Sequence, residues 1–440
     1  MSKLNSDILY QIFQELNNGS LFSCLFVNKY WFKLVVPILW SHPFENVYGK
    51  KWSSLINIII LHLSEQSKMF LENENVIIFD RSQRLSFNYV SFCKYIIDLK
   101  LETRYRFHHK PELLDQELLK LFISECTSIK HLDICSLDYP IHDFPGANNC
   151  FSNLRELICT TKQSASHLYG LGQICRLIEI INIDLTCANS GLAELIKMQK
   201  QIKHVILNIK YECEMIIHAL EKHIHSILHI RLCKFNDSFS PIYVLFPKLV
   251  NLQSFEFNYV NCQTLEKYLM SGFYFNLQVL DLHHVSLLIA KNIIQNTDNK
   301  LWKIKIRAID YDHSIEYNQA ICNCCPNIKY VTVFLNNNLD DLKNLLVNCQ
   351  RLEALDVIVQ EKEDNFLDLL VKLAPVSLYK IHINRECFTI ESINSFFSNW
   401  GDRKTLHLYD HNSNWRRFVK SNETEGVIGH EYCYGFWDYE

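Results

Sequence analysis

The feature that most constrains this chain is a spacing. Apolar residues recur in the pattern apolar-x-x-apolar-x-apolar, clearest at Ile129/Leu132/Ile134, Ile202/Val205/Leu207, Ile227/Ile230/Leu232, Leu252/Phe255/Phe257, Leu277/Leu280/Leu282, Leu301/Ile304/Ile306, Ile328/Val331/Val333, Leu352/Leu355/Val357 and Leu378/Ile381/Ile383. Weaker copies stand at Ile96/Leu99/Leu101, Leu154/Leu157, Ile178/Ile181/Ile183 and Leu406/Leu408. From Ile129 to Leu378 the first positions are separated by 25, 24, 24, 25, 25, 25, 24, 27, 24 and 26 residues. In a chain that is 48% hydrophobic a single triplet arises easily by chance, but a run at near-constant step does not.

The last two apolar positions of each triplet are two residues apart, so they point to one face of a short strand. Helical patterns lie between strands, such as Leu342/Leu345/Leu346 before Leu352 and Phe366/Leu369/Leu370/Leu373 before Leu378. One such unit cannot bury its apolar face alone, and stacking units does so cooperatively. The period falls within the leucine-rich-repeat range. The expected fold is therefore α/β: a curved solenoid of about 12–13 divergent repeats over residues 96–410, with parallel strands on the concave side and helices outside. Cys126, Cys175, Cys325 and Cys349 each precede the first apolar position by three residues, and Cys150 does so by four. A small apolar thiol suits a tight helix-to-strand corner. This placement resembles the cysteine-containing class of leucine-rich repeats, although no regular Asn or Cys follows the strands.

The first forty residues carry a different pattern. Leu4, Ile8, Leu9, Ile12, Phe13 and Leu16 recur at helical spacing, with Ser6 as the expected N-cap and Asn17-Asn18-Gly19 as the stop. A second short helix is expected over Ser20–Val27, and a third from about Asn28, carrying Trp31, Leu34 and Val35 and ending near Pro37. The order Leu4, Asp7-Ile8-Leu9, Ile12-Phe13, Leu16, Val27-Asn28, Trp31, Leu39-Trp40 resembles the F-box motif, with Asn5 where Pro is usual. In that family the motif docks on the Skp adaptor of a cullin–RING ubiquitin ligase, and it is commonly paired with leucine-rich repeats. The resemblance implies adaptor contacts from Leu4, Ile8, Leu9, Ile12, Phe13, Leu16, Asn28 and Trp31. A unit of this size rarely sustains a private core, so a partner helix is expected to cover its remaining apolar face. The plain alternative is that residues 1–40 cap the array. Residues 46–95 are expected to form a helical connector packed on the first repeat, and residues 411–440 a C-terminal cap or tail.

Bulk composition excludes several function classes. A net charge of −4 with 21% charged residues gives no pull toward nucleic acid or anionic lipid. With Gly 11 and Pro 9, the chain lacks the makings of long flexible linkers. Its 17 cysteines follow no apolar leader, which points to reduced, buried thiols in the cytoplasm or nucleus. Cys322-x-Cys324-Cys325 lacks His ligands at zinc-finger spacing, and His108-His109 and His283-His284 stand without a nucleophile. No catalytic or phosphate-cradling motif occurs. The expectation is a non-enzymatic receptor subunit with no metal and no cofactor, binding neither nucleic acid nor membrane.

The residue between the two strand-core positions points to the opposite side of the sheet. Along the array this selects Asp133, Asn182, Ile206, Arg231, Glu256, Asp281, Lys305, Thr332, Asp356 and His382, with Trp302, Tyr330 and Tyr379 as neighbours. A stripe of mixed sign with scattered aromatics suits a protein substrate. By the resemblance, the chain is expected to hold such a substrate for ubiquitination. A repeat scaffold outside any ligase is the alternative.

Overall fold

The computed structural model describes residues 5–44, 47, 50–79, 82–83, 85–96, 110–137, 139–211, 214–233, 241–258, 268–335, 339–359, 365–383, 390–400, 403, 406–410 and 428–432. The chain divides into two compact units, residues 1–205 with 211–223 and residues 206–210 with 224–440.

The first unit opens with the helices α1 (Ser6–Gln14), α2 (Asn18–Cys24) and α3 (Lys29–Leu39), followed by α4 (Lys50–Leu61) and α5 (Glu65–Asn73). The repeats then begin: β1 (Tyr95–Ile96), α6 (Pro111–Glu125), β2 (His131–Asp133), α7 (Ala147–Phe151), β3 (Glu156–Thr160), α8 (Ala165–Ile174), β4 (Ile180–Leu185) and α9 (Ser190–Met198). Strand β5 (His204–Ile209) contains the division between units, and α10 (Glu214–Glu221) belongs to the first. Strands β1 to β4 pair in chain order, all parallel. On the connector, Phe44 packs against Trp52 of α4 at 5.3 Å and Phe122 of α6 at 5.9 Å. Thus apolar rings tie α4 to the first repeat helix.

The second unit contains β6 (His229–Cys233), β7 (Ser254–Asn258), β8 (Val279–Val285), α11 (Leu287–Gln295), β9 (Lys303–Ala308), α12 (Ser314–Cys324), β10 (Tyr330–Leu335), α13 (Asp340–Asn348), β11 (Ala354–Val359), α14 (Asn365–Leu373), β12 (Lys380–Ile383), α15 (Ile390–Trp400), β13 (Leu406–Asp410) and β14 (Ile428–Tyr432). Strands β6 to β14 again pair in chain order and in parallel. Successive helices from α11 to α15 pack side by side. Each unit is therefore a stack of strand–helix repeats, the leucine-rich-repeat type of architecture. β14 lies in the segment expected to be a cap or tail; the aromatic cluster of that tail lies outside the described side chains.

The apolar triplets are the core. Every residue of the triplets between Ile129 and Ile383 is at most 5% exposed. In register, Leu280 stands between Phe255 and Ile304, and Leu282 between Phe257 and Ile306. Identical positions of neighbouring repeats thus share one hydrophobic row. The corner cysteines also fall into place: Cys126, Cys175, Cys325 and Cys349 are the C-caps of α6, α8, α12 and α13, each donating its backbone N–H to the residue four back. Burial pushes the thiols of Cys150 and Cys349 up to about 12, so these groups are packing and not nucleophiles. At His284 the ladder between β8 and β9 shifts register, and this residue takes a left-handed φ of 59°. The resulting bulge exposes His284, while His283 stays in register with Arg307.

Because Leu280 belongs to a row shared by adjacent repeats, Leu280→Ala should cost about 2–5 kcal/mol. Leu280→Asp should abolish the cooperative melting of the second unit by stranding a charge in that row. Circular dichroism melts check both, and unchanged melting of Leu280→Asp would place the residue outside the core.

Candidate functional site

Two surfaces could meet a partner: the N-terminal helix cluster and the sheet face turned away from the shared core. In the helix cluster, α1 starts after Asn5, an extended residue that makes no side-chain capping bond. The N-cap is therefore Asn5, one residue before the Ser6 expected from sequence. Asn17 opens α2 by accepting from the Ser20 N–H at 2.9 Å; it begins a helix where a stop was expected. Asn28 caps α3, accepting from the N–H groups of Tyr30 and Trp31 at 2.9 Å each. Helix α3 continues through Pro37 to Leu39.

Leu9, Phe13, Leu21 and Val35 form a small private core, ringed by the partly buried Leu16, Cys24, Leu25, Trp31, Leu34, Ile38 and Leu39. The Phe13 and Trp31 rings meet edge to face at 5.0 Å. Four of the eight motif residues are thus drawn inward: Leu9 and Phe13 fully, Leu16 and Trp31 in part. Asn28 is spent on capping. Leu4 lies outside the described residues. Ile8 and Ile12 remain on the outer stripe of α1, 47% and 45% exposed. The adaptor contacts expected from sequence leave out further exposed apolar residues, Phe22, Phe26, Val27 and Tyr30. Their signal was present, because Phe22 and Phe26 lie four apart beside Leu21 and Leu25, and their rings meet at 5.5 Å. Such a density of exposed large apolar side chains on a small cluster marks a contact surface.

On the sheet face, neighbouring members of the expected stripe stand in register within each unit. In the second unit Arg231 faces Glu256, Glu256 faces Asp281, and Asp281 faces Lys305. Thr332 faces Asp356, which faces His382. In the first unit Asp133 is joined to Asn182 through Ile158. Ile206, in β5, is half-buried. Neighbouring charges compensate along the row: Arg231 Nε pairs with Glu256, and Asp281 takes His283 Nε2 at 3.0 Å and Lys305 Nζ at 3.2 Å. Burial alone would raise the Asp281 carboxyl, but His283 and Lys305 outweigh it and hold its pKa below the usual value.

The far end of the row is closed to partners. Thr332, Asp356 and His382 are buried. Asp356 Oδ2 accepts from Arg307 Nη1 at 2.5 Å and from Thr332 Oγ1 at 2.9 Å, while Oδ1 meets His382 Nδ1 at 2.6 Å. Burial pushes this carboxyl up, and His382 and Arg307 together pull it below its ordinary value. These three side chains belong to an internal polar cluster. Close by, Trp302, Tyr330 and Tyr379 do gather: Trp302 meets Tyr330 edge-on at 5.9 Å, and Lys380 Nζ lies 6.0 Å from the Tyr330 ring and 5.6 Å from the Tyr379 ring. These half-buried aromatics and the row from Arg231 to Lys305 are what the second unit offers to a ligand. Among the described residues, no group of three or more His, Cys, Asp or Glu is placed to hold a metal. None of the described helices is long and apolar enough to cross a membrane. His108-His109 lies outside the described residues.

No model of a known protein family matches the chain, and no curated protein does. Among solved structures, a chain of the yeast Rad7–Elc1 complex is similar at 14% identity and a TM-score of 0.42, over 82% of this chain and 83% of that one. A Bacteroides fragilis protein is similar at 10% identity and a TM-score of 0.29, over 69% and 74%. Likenesses this distant decide nothing. The architecture rests on the strand register and the buried triplets.

Asp356→Asn removes the charge that Arg307 and His382 share and should destabilise the chain by about 3 kcal/mol near neutral pH. Because the folded pKa of Asp356 is depressed, its contribution is present above the unfolded value of about 4 and is lost as pH falls through the folded value. Urea melts at neutral and acidic pH should therefore show the gap between wild type and variant narrowing on acidification. A gap independent of pH would contradict this assignment.

Proposed function

We propose that this chain is a non-catalytic substrate receptor of an SCF-type ubiquitin ligase. In this reading residues 1–45 are an F-box docking on a Skp-type adaptor, and residues 96–410 are the leucine-rich-repeat array that holds a protein substrate. The observation that carries the reading is the split of the N-terminal helices into two apolar sides. One side is satisfied internally by Leu9, Phe13, Leu21 and Val35. The other leaves Ile8, Ile12, Phe22, Phe26, Val27 and Tyr30 in water. Apolar surface of this kind is stabilised when a partner helix covers it, at roughly 25 cal/mol per Å² removed from water.

The mechanism is proximity. A receptor that holds its substrate beside a charged conjugating enzyme raises the effective concentration of the target lysine without contributing a nucleophile. This assigns the chain no catalytic residue, no metal and no cofactor, and places it in the cytoplasm, the nucleus or both. On the substrate side, Arg231, Glu256, Asp281 and Lys305 together with Trp302, Tyr330 and Tyr379 are the contacts proposed in the second unit. Asp133 is the one proposed in the first.

Ile8→Asp combined with Ile12→Asp should remove adaptor binding by the full-length chain in a pull-down while leaving its melting unchanged, since both residues are exposed. Leu9→Asp should instead unfold the helix cluster. Retention of the adaptor by the Ile8/Ile12 variant, or failure of the folded wild type to retain it, would favour a repeat scaffold acting outside a ligase.

A further inference from the structure

A recess of about 360 Å³ opens in the first unit where α1 and the end of α3 approach β1. Its walls include Tyr10, Ser91, Lys94, Tyr95, Ser128 and Lys130, and among the described residues no Asp or Glu lines it. The two lysines begin a row of charges that runs across consecutive strands of this unit. The main chain sets the row: the Lys130 N–H donates to the Lys94 carbonyl at 2.7 Å, Arg155 to Lys130 at 2.9 Å, Glu179 to Arg155 at 2.8 Å and Lys203 to Glu179 at 2.8 Å. Four cations thus stand in a row with one carboxylate. That carboxylate is engaged at the far end, where Glu179 accepts from Arg155 at 2.6 Å and from Lys203 at 2.8 Å. Among the described residues, Lys130 Nζ reaches only the Asn153 carbonyl, at 3.5 Å. Burial first, then repulsion from Arg155 and Lys94, holds its pKa below the ordinary lysine value.

We propose that this recess binds a small soluble anion bearing phosphate, with Lys94 and Lys130 neutralising its charge and the hydroxyls of Tyr10 and Ser128 within its walls. Neighbouring parallel strands lie about 4.8 Å apart, so two lysines at successive row positions can straddle one phosphate group. The volume suits a small molecule. The C-terminal ends of α3 and α6 lie at the same rim and oppose an anion. Each amounts to about half a charge that fades within one turn, so the two full lysine charges prevail. The site is independent of the apolar face of α1 and of any ligase role.

The test uses the full-length chain and two probes, inorganic phosphate and pyrophosphate, titrated by calorimetry at low ionic strength. Saturable binding is expected, tighter for pyrophosphate and weakened by added salt. Lys94→Gln and Lys130→Gln should each weaken pyrophosphate about tenfold, the loss of one charge-assisted contact. Lys343→Gln, an exposed lysine of the second unit, should change nothing. Lys94 is itself exposed, so its variant remains decisive if Lys130→Gln fails to fold. Absence of saturable pyrophosphate binding, or binding that Lys94→Gln leaves at full strength, overturns the proposal.

Discussion

The shared hydrophobic row is the constraint from which the rest of the structure follows. In the second unit Phe255, Leu280 and Ile304 occupy successive register positions, as do Phe257, Leu282 and Ile306. Each side chain is covered by its counterpart in the next repeat, so no repeat owns a complete core. Parallel pairing requires the chain to return to the same end between strands, as helices α11 to α14 do between β8 and β12. Once the triplet faces the helices, the pleat commits the intervening residue to the other face. Arg231, Glu256, Asp281 and Lys305 are therefore aligned by the needs of Leu, Ile and Phe next to them, not by any attraction of their own.

What happens on that second face is decided by electrostatics and cover. Where the face is partly open, charges in the row neutralise one another at modest gain, as Asp281 does with Lys305 and His283. Where β10, β11 and β12 are buried on both faces, an isolated carboxylate would be prohibitively unfavourable. Asp356 survives there because Arg307, Thr332 and His382 supply its hydrogen bonds. The same row thus turns from a half-exposed face into an internal network. The first unit shows the opposite imbalance, with Lys94 and Lys130 left beside a recess while the carboxylate of Glu179 is consumed two strands away.

The helix cluster is governed by size. Three short helices can bury four residues completely and a ring of others partly, and that exhausts their mutual contacts. An amphipathic stripe on α1 wider than this core leaves Ile8 and Ile12 with nothing of their own cluster to cover them. The Asn residues at 17 and 28 matter for a different reason. Each satisfies N–H groups that the start of a helix leaves without intrahelical partners, which fixes where the chain turns.

Much of this was legible in the residues alone. The near-constant spacing of triplets determined parallel strands, their inward positions, the cysteine corners and the row that runs from Arg231 through His382, because a two-residue pleat and a repeating period leave little freedom. The three N-terminal helices were equally plain, though their caps shifted: Asn17 reads as a stop and serves as a start. Tertiary structure alone decided which members of a correctly drawn row stay accessible. Periodicity says to which side Asp356 points and nothing about what lies over it. Likewise it groups Leu9 with Ile12 on one helical stripe, and only packing against Leu21 and Val35 separates the buried residue from the exposed one. The meeting of Lys94 and Lys130 beside a recess also had no sequence signal, since 35 residues and a whole repeat stand between them. Local pattern fixes direction, whereas burial and charge balance depend on neighbours distant in the chain.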